Sequence, residues 1–107
     1  MPTFSIEASC DGHTLTLACV GELDLAATCL LVDAVRAYEA VGASCVRLDL
    51  ARTTFIDSSG IATIVRLSLD LDARGGGLEV TDAGRVVRRA FELCGLVHLV
   101  TPERASA

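Results

Sequence analysis

The sequence predicts an α/β domain in which a mixed β-sheet, made of an N-terminal hairpin and parallel crossover strands, is covered by helices. Three observations carry this expectation. Apolar and polar residues alternate over the first twenty positions, three longer stretches repeat apolar residues every three or four positions, and strand-like and helix-like stretches then follow one another along the chain. With 107 residues, 51% of them hydrophobic, there is material for one core and not for two of ordinary size. Residues 1–107 are therefore read as a single domain.

The hairpin comes first. Phe4, Ile6 and Ala8 alternate with Ser5, Glu7 and Ser9, and after Asp11-Gly12 the alternation resumes as Leu15, Leu17 and Cys19 against Thr14, Thr16 and Ala18. An Asp-Gly pair between two such runs is a strong local signal for a tight turn. From Ala26 to Val41 the apolar positions Ala27, Leu30, Leu31, Ala34, Tyr38 and Val41 fall at helical spacing, with Asp24 as candidate N-cap and Gly42 as the stop. Cys45 to Leu50 sets Val46, Leu48 and Leu50 on one face and Arg47 and Asp49 on the other. A strand arriving after a helix implies a parallel crossover. Ser58 to Arg74 returns to helical period with a polar stripe of Thr63, Arg66, Asp70 and Arg74, and Gly75-Gly76-Gly77 ends it. A short strand from Leu78 to Thr81, a helix from Arg85 to Cys94 closed by Gly95, and a last strand from Val97 to Val100 complete the order, with Thr101 to Ala107 expected as a loose tail.

Composition narrows the chemistry. Aromatic residues make up 4% and Trp is absent, so the core is aliphatic, and a chain this apolar is not a disordered one. Mean hydropathy is +0.51, yet charged residues interrupt every apolar run well short of the ~20 residues that span a bilayer. The chain is thus expected not to span a membrane. The N-terminus shows no basic segment followed by an apolar one, which makes the cytoplasm the expected location. All nine basic residues are Arg, which excludes any P-loop, Schiff-base or S-x-x-K lysine. A net charge of −5 argues against nucleic acid as a partner, and the cluster Arg85, Arg88 and Arg89 reads as the solvated face of a helix. The five cysteines contain no C-x-x-C pair. Cys19, Cys29 and Cys94 lie in apolar stretches and read as small core residues. His13, in a turn, and His98, in the last strand, have no ligand partners at metal-binding spacing. No metal and no cofactor are expected.

The informative stretch is Thr53-Thr54-Phe55-Ile56-Asp57-Ser58-Ser59-Gly60-Ile61, where a helix begins and its first N–H groups need partners. Asp57 or Ser58 suits an N-cap worth ~1 kcal/mol. A hydroxyl at such a terminus is equally a good phosphorylation site, because the N–H groups and the helix dipole favour the added charge. A serine hydrolase is a weak third reading: the spacing is not G-x-S-x-G, and the only candidate bases are the distant His13 and His98. The helix from Ser58 also carries more apolar surface than one buried side needs. Either neighbouring helices cover it, or Ala62, Val65 and Leu69 form a docking face.

Three blocks of the chain resemble the STAS domain, and in particular the small stand-alone anti-sigma factor antagonists of bacteria. They are Gly21-Glu22-Leu23-Asp24-Leu25-Ala26, then Phe55-Ile56-Asp57-Ser58-Ser59-Gly60-Ile61, then Val87-Arg88-Arg89-Ala90-Phe91-Glu92-Leu93-Cys94-Gly95-Leu96. With the element order they cover nearly the whole chain. The resemblance implies a STAS-like mixed sheet and a binding protein, not an enzyme. Its unphosphorylated form captures an anti-sigma factor, usually a GHKL-type serine kinase, and so releases a sigma factor. Phosphorylation reverses this and a serine phosphatase restores it. The residue that matches the family's phosphoserine is Ser58, with Ser59 as the adjacent alternative, and Asp24 matches an aspartate near the kinase-binding surface. With the docking face read from the helix itself, the expected partner face comprises Asp24, Asp57, Ser58, Ser59, Gly60, Ala62, Val65 and Leu69. The chain departs from many members in having Ala62-Thr63 after the motif where they carry Gly. The alternative implied role is the STAS subunit of a phospholipid-trafficking ABC transporter, docked on its ATPase.

Overall fold

The hairpin opens the fold, where the alternation places it. In the computed structural model, which describes residues 4–100, β1 (Ser5–Asp11) and β2 (Thr14–Leu23) pair antiparallel from Ser5↔Val20 to Asp11↔Thr14. Gly12 makes the turn at φ 61°, a left-handed conformation that glycine takes without a Cβ penalty. β3 (Cys45–Asp49) lies parallel to β2, and β5 (Gly77–Thr81) parallel to β3, in the order β1-β2-β3-β5. The alternations of the three strands are in phase, so Leu17, Leu48 and Val80 share one row. None of the three exceeds 1% exposure.

β4 (Thr53–Ile56) pairs parallel with the far half of β2, through Gly21↔Thr53, Glu22↔Phe55 and Leu23↔Ile56, with a bulge at Gly21/Glu22. β3 and β4 thus follow β2 one after the other, with a turn between them in which the Thr53 N–H donates to Leu50 O at 3.1 Å. The Thr53 hydroxyl reaches back to Cys19 O at 2.7 Å and seals the joint.

Three helices bury their apolar stripes against this sheet. α1 (Thr28–Arg36) contributes Leu31 and Val35, α2 (Ser58–Ala73) Ile61, Ile64, Leu67 and Leu71, and α3 (Arg85–Leu93) Val87 and Phe91. Burying each of these side chains stabilises the fold by ~1.5–3 kcal/mol. They join the inward residues of the strands in one cluster, with Phe91 fully buried.

Several expectations are corrected. The first helix is shorter than the span from Ala26 to Val41: a 3-10 turn (Leu25–Ala27) precedes α1, and residues 37–42 form turns in which Val41 is exposed. β4 was not anticipated. The last strand is absent from the expected place, since Val97–Leu99 is a 3-10 turn holding His98, and only Val100 makes a parallel bridge, to Val80. Gly95 at φ 71° and the Leu96 N–H donating to Phe91 O at 2.8 Å close α3 back on itself, and the chain keeps turning. Of the three cysteines read as core residues only Cys19 is buried; Cys29 and Cys94 are exposed. The tail from Thr101 lies outside the described residues.

Candidate functional site

β2 and β4 run in the same direction and end side by side at Leu23↔Ile56, so the chain leaves both strands at one edge of the sheet. This parallel ending brings the Asp24 loop and the start of α2 together. The Asp57 N–H donates to Leu23 O at 3.4 Å, and the first turn of α2 then presses onto the end of β2. The contact is close enough that a Cβ on Gly60 would stand 2.5 Å from Leu23 O and 2.9 Å from Ile56 Cγ1. Gly60 is therefore a spacing residue: its missing side chain lets the helix sit against the strand.

Each loop carries its own aspartate cap. Asp24 Oδ1 accepts from the Ala27 N–H at 3.1 Å and closes the 3-10 turn. Asp57 is the N-cap of α2, its Oδ1 accepting from the Gly60 N–H at 3.0 Å and from the Ser59 hydroxyl at 2.5 Å. The Ser59 hydroxyl foremost, then the Gly60 N–H, hold the Asp57 carboxyl below the usual carboxylate range; slight burial opposes them, and the Ser59 and Leu25 N–H groups assist.

The two serines are thereby distinguished. Ser58 is exposed, and its hydroxyl has no hydrogen-bond partner among the described residues. Ser59 is half-buried and its hydroxyl is committed to Asp57. Down the same side of α2, Ala62 and Leu69 are exposed, Leu69 to 64%, and Val65 is half-buried. Ser58, Ala62, Val65 and Leu69 form a line at helical spacing. α1 does not cover this line. The polar stripe of Thr63, Arg66, Asp70 and Arg74 instead lines a groove shared with α1, where Arg74 pairs with Glu39 at 2.6 Å and with Asp70 at 3.4 Å.

Two apolar residues near the site were not singled out from the sequence. Leu25, next to Asp24, is 71% exposed, and Phe55, two residues before Asp57, is 43% exposed. Both sit inside strand-like or loop-like apolar text, and only exposure separates them from core residues. A histidine base near Ser58 is missing on the hairpin side: His13 precedes the ten-residue β2, on the order of 30 Å from its far end at ~3.3 Å per residue. Among the described residues no group of three or more His, Cys, Asp or Glu is placed to hold a metal ion, and no helix is long and apolar enough to cross a membrane.

Comparison with known proteins places this geometry. The family model described as STAS domain matches residues 5–107. Among solved structures, the unphosphorylated form of the anti-sigma factor antagonist SpoIIAA superposes with a TM-score of 0.76 at 22% identity, covering 92% of this chain and 86% of that one. The phosphorylated form of SpoIIAA, described as a Bacillus cell fate determinant, gives 0.69 at 22% identity over 92% and 89%. An anti-sigma factor antagonist from Mycobacterium paratuberculosis gives 0.81 at 21% identity over 94% and 87%. A segment of SLC26A9 gives 0.70 at 16% identity, covering 84% of this chain and 18% of that one. No curated protein matches the chain in sequence.

Proposed function

Since the chain belongs to the STAS domain family, and its fold is that of the anti-sigma factor antagonists, we propose that it acts as one: a binding protein whose surface around Ser58 engages an anti-sigma factor with serine kinase activity and is switched off by phosphorylation of Ser58. One observation carries the choice of residue. At the start of α2 the Ser58 hydroxyl is exposed and uncommitted, whereas the Ser59 hydroxyl is held by Asp57. In the unphosphorylated state Ser58, Ala62, Val65 and Leu69, with Asp24 and Leu25 beside them, offer a mainly uncharged strip flanked by two capped aspartates.

Phosphoryl transfer moves the γ-phosphoryl group of kinase-bound ATP to Ser58 Oγ, the hydroxyl proton passing to the kinase and ADP leaving; a serine phosphatase hydrolyses the ester and releases inorganic phosphate. The new group adds roughly −1.5 to −2 charges next to the ionised Asp57. The helix N-terminus tolerates the charge, so α2 persists. A partner that had packed on the strip now meets a charge it must desolvate, at a cost on the order of a few kcal/mol.

The test is binding to GHKL-type serine kinases of the same organism, with site mapping by mass spectrometry. Ser58→Ala is expected to bind and to remain unmodified, and Ser58→Asp to bind roughly thirtyfold more weakly, about 2 kcal/mol. Phosphate on Ser59 in the wild type, or undiminished modification of Ser58→Ala, overturns the assignment. Retention by a transporter ATPase in place of any kinase replaces the reading with that of a transporter subunit.

A further inference from the structure

α3 has a second amphipathic side. Its inner side buries Val87 and Phe91, while Val86, Arg89 and Leu93 point outward, with Val86 64% and Leu93 73% exposed. Seven residues separate these two apolar side chains, so they stand two turns apart on one line. Val97, 41% exposed, lies beyond them after the Gly95 turn. Arg85 and Arg89 flank the line, are exposed, and make no ion pair among the described residues. A cleft of about 610 Å³ runs along the helix from Ala83 and Gly84 past Arg85, Val86 and Arg89 to Glu92, the one acidic residue on its wall. The three arginines of α3 against Glu92 give the helix a charge of +2, while the remainder of a chain whose net charge is −5 is strongly acidic.

We propose that the outer face of α3 is a second docking surface, for an acidic amphipathic segment of another protein, with Val86 and Leu93 entering its apolar stripe and Arg85 and Arg89 meeting its carboxylates. Charge selects this occupant. A second copy of the chain fits poorly, because pairing Val86 of one α3 with Leu93 of another about a two-fold axis sets the two Arg89 side chains against each other. Residues 101–107 cannot complement the face, since they contain one Glu, one Arg and no large apolar side chain. An anionic membrane attracts clusters of about four to eight basic residues, and here three stand on a body that the membrane would repel. α3 packs on β4 through its inner side, where Val87 and Phe91 are buried, and the outer face points away from that strand, so its occupancy is expected to be independent of the phosphorylation switch.

The test uses the full-length protein and a fluorescein-labelled helical peptide with Leu at i, i+3 and i+7 flanked by Glu, followed by anisotropy at low salt. Saturable binding is expected, weakened at least ~10-fold by Arg85→Glu/Arg89→Glu and, separately, by Val86→Ser/Leu93→Ser, and unchanged by Ser58→Asp. All four substituted α3 positions are exposed, and circular dichroism checks that the fold is kept. Several results overturn the proposal: no saturable binding, equal binding by the charge-reversed protein, equal binding of a Lys-for-Glu peptide, tighter binding to phosphatidylserine vesicles or to a single-stranded oligonucleotide, or a dimer in sedimentation that these substitutions abolish.

Discussion

Replacing Gly60 with alanine tests the joint on which the site depends. The substitution sets two effects of opposite sign against each other. Alanine is favoured over glycine inside a helix by ~1 kcal/mol. Against this, the new Cβ would stand 2.5 Å from Leu23 O, 2.9 Å from Ile56 Cγ1 and 3.2 Å from Leu23 Cγ. Overpacking of this kind costs ~1–3 kcal/mol, and the upper end applies because the nearest atom is a backbone oxygen that cannot rotate away. Relief by lifting α2 stretches the 3.0 Å bond from the Gly60 N–H to Asp57, which loses part of a cap worth ~1 kcal/mol. The net expectation is a loss of about 2–3 kcal/mol. At ~4–8 °C per kcal/mol for a domain of this size, the midpoint of thermal unfolding falls by roughly 10–20 °C, read by circular dichroism and checked by urea unfolding with an unchanged slope. An unchanged or raised midpoint would refute the reasoning, because it would mean that α2 does not press on the end of β2.

Further outcomes follow from the same geometry. Asp57 has a depressed carboxyl pKa in the folded state, so its contribution is present above the unfolded value near 3.8 and disappears as pH falls through the lower folded value; Asp57→Asn is expected to flatten the acid limb of stability below about pH 4, and an acid limb identical to wild type would count against the cap. Asp24→Ala removes the acceptor of the Ala27 N–H, with an expected loss of ~1 kcal/mol; in calorimetry with the kinase proposed as partner, a large loss of affinity at unchanged stability assigns Asp24 to the interface instead. Burial, aided by Asp49, pushes the Cys19 thiol up to about 12, while Cys10, Cys29, Cys45 and Cys94 are exposed. A thiol reagent at pH 8 is therefore expected to react quickly with four of the five, and with Cys19 only on unfolding.

The parts of the fold that are legible in sequence are those whose pattern has one physical cause. The Asp11-Gly12 turn and the alternation around it locate the hairpin, and the triple glycine after Arg74 ends α2 within a residue of the expected place. β4 escapes because its four residues do not alternate: Thr53 and Ile56 are buried while Thr54 and Phe55 are exposed. Val97 to Val100 misleads for the opposite reason, since a short apolar run reads as a strand whether or not a neighbouring strand is in reach. At the site, Asp57 and Gly60 are legible as a helix start. The resemblance favours Ser58 over Ser59, but the physical difference between them is a side-chain direction, set when the Ser59 hydroxyl turns to Asp57, which helix-start patterning does not encode.

The break between β3 and β4 divides the sheet into parts of unequal strength. β3 is held on both sides, by β2 and by β5, over five residues each way, whereas β4 is held by β2 at Gly21, Glu22 and Leu23 across a bulge. Local opening follows the weaker attachment. What the short ladder lacks is supplied by side chains: Thr53 and Ile56 are buried, and both α2 and α3 pack against β4. The proposed modification site at Ser58 thus follows directly on the strand with the shorter ladder, and its placement rests on the packing of α2 and α3 over β4 more than on backbone pairing.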